Sequence, residues 1–174
     1  VKTFAAHKST KPAKSIQEVA LAMVARSELT AAQLRSKLRL KNYELLDINN
    51  LIEQFQQKNY LNDARAAAML VQRRAKGSKW GAGRIKQELS QKGVAKDLSA
   101  DAVQHVEEAG HDWLATATAL LRAKYKAALP TERAERQKEL ARRLGFLQRR
   151  GFSGAQASAA LKASTAVAVD ELID

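Results

Sequence analysis

A five-residue interval that recurs three times constrains the fold of this chain more than any other feature. Each copy is a leucine, a polar or basic run, a small residue or Asn, and then an apolar residue. The copies read Leu38-Arg-Leu-Lys-Asn-Tyr43, Leu89-Ser-Gln-Lys-Gly-Val94 and Leu147-Gln-Arg-Arg-Gly-Phe152, and only Leu40 interrupts the polar run. Apolar or small residues follow at matching offsets: Ile48, Leu51 and Ile52; Ser99, Ala102 and Val103; Ala157, Ala160 and Leu161. The copies lie about 50 to 60 residues apart, which points to a tandem array of helical units. Such an array presents an extended surface rather than one catalytic pocket.

The rest of the chain agrees with helices. Only Pro12 and Pro130 interrupt a sequence rich in good helix formers, and no alternating run is long enough to argue for a sheet. Ser15-Ile-Gln-Glu18, Thr30-Ala-Ala-Gln33 and Ser153-Gly-Ala-Gln156 have the spacing of capping boxes, in which two side chains satisfy orphan N–H groups at a helix start. Ile16, Val19, Ala20, Met23 and Val24 fall on one helical face, Leu34 and Leu38 on the next, and Ile48, Leu51, Ile52 and Phe55 on a third helix from about residue 44 to 57. The plan then repeats. A helix after Asn62 or Asp63 carries Ala67, Leu70 and Val71. The break Lys76-Gly-Ser-Lys-Trp-Gly-Ala-Gly83 follows, then a helix with Ile85 and Leu89 that stops at Gly93, and a third from about 96 to 107. In the last unit a helix through Trp113, Ala117 and Leu121 precedes a break at Pro130, a long basic helix over 131–149 and a small alanine-rich helix. The expected organisation is a basic flexible tail over 1–14, three-helix repeats over 15–61, 62–110 and 111–164, and a C-terminal tail over 165–174. The fold class is all-α, an elongated array of three tandem three-helix repeats. Each repeat has few large apolar residues, so neighbours should share apolar surface.

Charge narrows the function. The net charge is +12, which favours a polyanion or an acidic protein surface. Residues 62–93 hold eight basic and two acidic residues, net +6, and residues 131–150 hold seven and three, net +4. Residues 94–110 are net −3. The first cluster is Arg65, Arg73, Arg74, Lys76, Lys79, Arg84, Lys86 and Lys92, with Trp80 inside it. Cations beside an indole suit phosphate contact and stacking, and the glycines there allow close backbone approach. The alternative is a solvated helix face on which Arg84 pairs with Glu88 at i, i+4, with Trp80 packing at a junction between units. The second cluster is Arg142, Arg143, Arg149 and Arg150, with Arg133, Arg136 and Lys138 upstream and Glu132, Glu135 and Glu139 as local partners.

Catalytic signals are missing. There is no cysteine, so disulfides and thiolate chemistry are excluded. His7, His105 and His111 show no ligand spacing and read as surface residues. The glycine-rich break does not match a phosphate loop. The expectation is a non-enzyme with no cofactor and no metal. Val19-Ala-Leu-Ala-Met-Val-Ala25 is too short to span a membrane and lacks the layout of a secretory signal, so a cytoplasmic location is expected.

Several stretches resemble the RecX family, regulators of the bacterial RecA recombinase. They are Ser27-Glu-Leu-Thr30, Leu34 to Leu38 and Asn42-Tyr43, then Tyr60-Leu-Asn-Asp63, Arg65, Ala67, Arg73 or Arg74, Trp80-Gly81, Arg84-Ile85, Glu88-Leu89 and Lys92-Gly93-Val94. Lys124-Tyr125 and Phe146 to Phe152 complete the set, so the resemblance covers about residues 15 to 163. Two positions depart from the family pattern: Ala66 stands where an aromatic is usual, and Ala82 where a proline is usual. The resemblance implies a curved array of three repeats that binds in the groove of a RecA–DNA filament, contacting RecA and single- or double-stranded DNA. It implies inhibition of ATP hydrolysis, strand exchange and LexA-type coprotease activity, and so modulation of DNA repair, recombination and the SOS response. A monomer is the simplest state for such an array. Two other readings remain open: a stand-alone nucleic-acid-binding protein of helix-turn-helix-like modules, and a helical scaffold whose charge serves only solubility.

Overall fold

The computed structural model describes residues 15–170, so the expected basic tail over 1–14 and the last four residues lie outside the described residues. The described residues are all helical and include no strand. The helices are α1 (Ile16–Val24), α2 (Ala31–Arg39), α3 (Leu45–Gln57), α4 (Asp63–Arg73), α5 (Ala82–Gln91), α6 (Lys96–Glu108), α7 (Trp113–Lys124), α8 (Arg133–Arg149) and α9 (Gly154–Asp170). They form two compact units, one ending at Asn62 and one beginning at Asp63. Helix α9 runs past residue 165, where the sequence reading begins a tail.

The three capping boxes form as the spacing requires. Ser15 Oγ accepts from the Glu18 N–H while the Glu18 carboxylate accepts from the Ser15 N–H, and Thr30 with Gln33 and Ser153 with Gln156 do the same. Each such N-cap contributes about 1 kcal/mol to its helix.

The recurring five-residue interval has one physical cause. The Tyr43 N–H donates to the Leu38 carbonyl at 3.4 Å, Val94 to Leu89 at 3.0 Å and Phe152 to Leu147 at 3.2 Å. The residue before each acceptor-seeking amide is left-handed: Asn42 with φ 62°, Gly93 with φ 75° and Gly151 with φ 88°. This bond, reaching back five residues through a left-handed position, ends a helix and satisfies one of its orphan carbonyls. Meanwhile Leu38, Leu89 and Leu147 are all buried. The motif therefore plugs a core and turns the chain into the next helix with the same residues.

In the first unit Ala20, Leu34, Leu38, Ile48, Leu51, Ile52, Phe55 and Leu61 close one core. In the second, α4 to α9 share a single core, running from Leu70, Val71, Ile85 and Leu89 through Trp113 and Leu121 to Phe146, Leu147, Phe152 and Leu161. The expected break at 76–83 is more ordered than a loop. Arg74–Ser78 continue α4 as a π-helical turn, Lys79 is left-handed with φ 51°, and the Trp80 N–H returns to the Arg74 carbonyl. The glycines beyond it serve an internal contact. The Gly81 N–H donates to the Arg150 carbonyl at 2.8 Å, and the Gly83 N–H to the Gly151 carbonyl at 2.9 Å. A Cβ on Gly81 would lie 2.4 Å from the Gly151 carbonyl carbon. The start of α5 thus docks backbone-to-backbone on the turn between α8 and α9, so this close approach is spent inside the fold.

Candidate functional site

That docking brings the two basic clusters together. Trp80, half-buried at the start of α5, lies between two guanidinium groups. Arg74 is 4.5 Å from its ring centroid and Arg84 is 3.9 Å away, both within cation–π range. Arg84 also donates to the Arg149 carbonyl at 3.4 Å. Across the junction Arg150 donates to the Ser78 carbonyl at 3.4 Å and packs its guanidinium 5.1 Å from the Phe146 centroid. Phe146 meets Tyr125 edge-on at 5.8 Å. Lys124 sits 4.1 Å from the Phe146 centroid, and Arg142 sits 5.6 Å from Tyr125. The result is a strip of cations laid over rings: Lys124, Tyr125 and Arg150 about the largely buried Phe146 ring, and, across the junction that Arg150 bridges to Ser78, Trp80 with Arg84. Beside it Ala82, Gly83, Arg84, Gln87, Gln148 and Arg149 line an open groove of about 460 Å³.

Two acids set how much of this charge is free. Glu88 makes a bidentate pair with Arg74, at 2.7 and 2.8 Å, and Lys92 approaches it at 3.9 Å. The Arg74 bond, aided by the charges of Lys92 and Arg73, holds the Glu88 carboxyl below the usual carboxylate range despite partial burial. Glu88 therefore pairs with Arg74 and leaves Arg84 to the indole, because Arg74 reaches it in a fork and Arg84 finds the ring. Glu139 is likewise held low, chiefly by its bond to Arg143. Arg142 approaches the same carboxylate at 2.6 Å.

The structure sorts the residues named from sequence. Arg74, Trp80, Arg84, Arg142, Arg149 and Arg150 lie in or beside the strip. Lys76 and Lys79 are exposed on the π-helical turn that leads into it, and Arg73 is exposed just before it. Lys86 is exposed but stands about 200° around α5 from Arg84, away from the indole. Arg65 is half-buried about two turns upstream on α4. Arg143 is a correction. It is only 6% exposed, bound to Glu139 at 2.8 Å and to the Ala127 carbonyl at 2.9 Å, so it anchors the loop before α8 and is withdrawn from any partner. His111 is also less exposed than expected. It is half-buried edge-on against Trp113 at 4.2 Å, and burial holds its pKa below the usual histidine value. No group of three or more metal-ligating side chains occurs among the described residues.

Sequence reasoning missed Lys124, Tyr125 and Phe146 as members of the strip. Their signal was a cation beside an aromatic, with a second aromatic one residue before the third copy of the recurring motif.

Comparison with known proteins bears on the whole chain. A family model for the second three-helix domain of RecX matches residues 62–103. The regulatory protein RecX of Halorhodospira halophila is 32% identical over 151 residues, covering 87% of this chain and 89% of that protein. The regulatory protein RecX of Vibrio campbellii is 37% identical, covering 86% of this chain and 92% of that protein. Among solved structures, RecX from Lactobacillus salivarius superposes with a TM-score of 0.72 over 86% of this chain and 94% of that one. At 20% identity that likeness speaks for the fold.

Proposed function

Because the chain belongs to the RecX family, we propose that it regulates the RecA recombinase by binding the RecA–DNA filament and lowering its ATP hydrolysis, strand exchange and coprotease activity. The observation that carries this reading is the cation–aromatic strip of the second unit. A polyanion laid along it meets Lys79, Arg84, Arg142, Arg149 and Lys124 from two helical pairs that the glycine docking holds in register. Arginine heads fixed by rings and carbonyls lose less entropy on meeting phosphate than free ones. No enzymatic step is part of this reading. The protein binds as a monomeric array of three repeats, in the cytoplasm, and acts by occupying the filament.

The test is ATP hydrolysis by RecA on single-stranded DNA with rising amounts of this protein at two salt concentrations. Hydrolysis should fall, and fall less at the higher salt. The triple variant Lys79→Gln, Arg142→Gln, Arg149→Gln should weaken inhibition and lower the salt slope of DNA binding by about 2 to 3. Undiminished hydrolysis, with binding to bare DNA retained, would return the stand-alone nucleic-acid-binding reading.

A further inference from the structure

The three copies of the helix-stop motif allow surface positions to be compared within one molecule. Aligned on the motif, Leu40 stands where Gln91 and Arg149 stand in the other copies, Leu45 where Lys96 and Gly154 stand, and Leu46 where Asp97 and Ala155 stand. The polar, charged or small residues of the later copies are exposed, as such positions ordinarily are. In the first copy the same positions are leucines and are exposed nonetheless: Leu40 by 84%, Leu45 by 48% and Leu46 by 71%. None of them belongs to the core, which α3 fills with Ile48, Leu51, Ile52 and Phe55; Leu46 faces away from these residues, and Leu45 lies one turn before Ile48 on their side but at the exposed end of the helix. The turn between α2 and α3 is tight, fixed by the Tyr43-to-Leu38 bond, so the three leucines share one end of the unit. One exposed leucine needs no explanation, whereas three on a turn that is polar or small at every matched position of its sister copies do.

The rim of this patch says what covers it. Lys37, Arg39 and Lys41 are exposed at the end of α2 beside Leu40, and none has an ion pair among the described residues. Glu44 and Asp47 sit at the start of α3, where the helix dipole favours acids. The surface is thus apolar at its centre and basic on its α2 side. Phosphate offers leucine nothing, while burial against an apolar protein surface gives it the hydrophobic gain. We propose that the α2–α3 turn is a protein-docking surface, whose leucines enter an apolar depression on a recombinase subunit with carboxylates at its edge facing Lys37, Arg39 and Lys41. This rests on the filament reading above and divides the work: nucleic acid to the strip of the second unit, protein to the turn of the first.

The experiment gives the first copy the residues of the second: Leu40→Gln, Leu45→Lys and Leu46→Asp together. Binding is measured by fluorescence anisotropy to labelled single-stranded DNA, bare and coated with RecA. Bare-DNA affinity should stay within about twofold, and affinity for the coated filament should fall at least tenfold. Leu46→Gln alone, a smaller change for use if the triple variant unfolds, should lose at least threefold. Unchanged filament affinity would overturn the proposal. Equal losses on bare and coated DNA would overturn it in favour of leucine wedging into nucleic acid, and a wild-type dimer that the triple variant dissolves, seen by sedimentation, in favour of a second copy of this chain. If the wild type binds coated DNA no better than bare DNA, the filament reading itself fails before any variant is compared, and this proposal with it.

Discussion

Gly81→Ala should destabilise the second unit strongly, as should Gly151→Ala across the same joint, where a Cβ would lie 2.2 Å from the Arg84 nitrogen and φ is 88°. A Cβ on Gly81 would lie 2.4 Å from both the Gly151 carbon and the Phe152 nitrogen and 2.5 Å from the Gly151 oxygen, all of them backbone atoms. No rotamer can relieve such a clash. The two backbone segments must separate by about 1 Å to reach ordinary contact, which stretches the bonds now at 2.8 and 2.9 Å beyond hydrogen-bonding length. Two backbone bonds at about 1 kcal/mol each, plus lost packing around the joint, put the cost at roughly 2 to 4 kcal/mol. The matched control lies four residues away. Gly77 has nothing within 4 Å of its would-be Cβ and sits in the π-helical turn at negative φ. There alanine should stabilise by about 0.4 to 1 kcal/mol, because it restricts the unfolded chain. Urea unfolding at 25 °C, followed by circular dichroism and extrapolated linearly, measures both. If Gly81→Ala falls within about 0.5 kcal/mol of wild type, or the two variants shift the same way, the backbone docking does not hold α5 to the α8–α9 turn.

Other consequences are separable. Glu88 has its pKa depressed by Arg74, so its stabilising contribution is present above the unfolded carboxyl value of 4.5 and is lost as pH falls through the folded value. Glu88→Gln should therefore flatten the acid limb of the stability curve below about pH 4.5, measured by urea midpoint against pH. Arg143→Leu removes the partner of the Ala127 carbonyl and leaves Glu139 only the exposed Arg142, and should destabilise by about 1 to 3 kcal/mol, whereas Arg142→Ala, whose side chain is 66% exposed, should cost less than about 1 kcal/mol. Ala82→Pro should raise stability by about 0.4 to 1 kcal/mol in thermal unfolding. Ala82 is the first residue of α5, and Gly81 before it has φ −74° and ψ 159°, a conformation proline accepts in its predecessor.

The helical plan was legible because its signals are local. Capping boxes, apolar spacing and the leucine-to-apolar interval each bind a residue to another three to five positions away, and helix geometry makes such pairs meet. The candidate site was legible only as composition. Sequence separated Arg84 from Arg149 by 65 residues and Arg150 from Ser78 by 72, and nothing local could show that Gly81 and Gly83 dock on Gly151 and so join them. The same blindness left the partner of Glu88 open, with Arg84, its neighbour at i−4, as the candidate. A π-helical turn swings Arg74 into bidentate range, and no periodicity announces that turn. Arg143 looked like one more surface cation because seventeen helical residues with a polar average give no sign of which arginine the preceding loop wraps.

These pairings bear on how much of the +12 charge a polyanion would feel. Arg74 and Arg143, half-buried and buried, are held by carboxylates, so bringing either to a phosphate means breaking a short charged hydrogen bond and leaving an acid behind. Arg142, whose side chain is 66% exposed, keeps only a water-screened pair with Glu139 and gives it up at little cost. Arg84 and Arg150 are held by rings and carbonyls, partners that leave the positive charge uncancelled and so add no such penalty. Cation–π contact and carbonyl bonding therefore orient a cation without neutralising it, and carboxylate pairing does the reverse. The strip owes its capacity to bind to the first kind of contact and its rigidity to both. A substitution that exchanges one kind for the other, such as replacing Trp80 with an acid, should abolish the surface while leaving the number of cations unchanged.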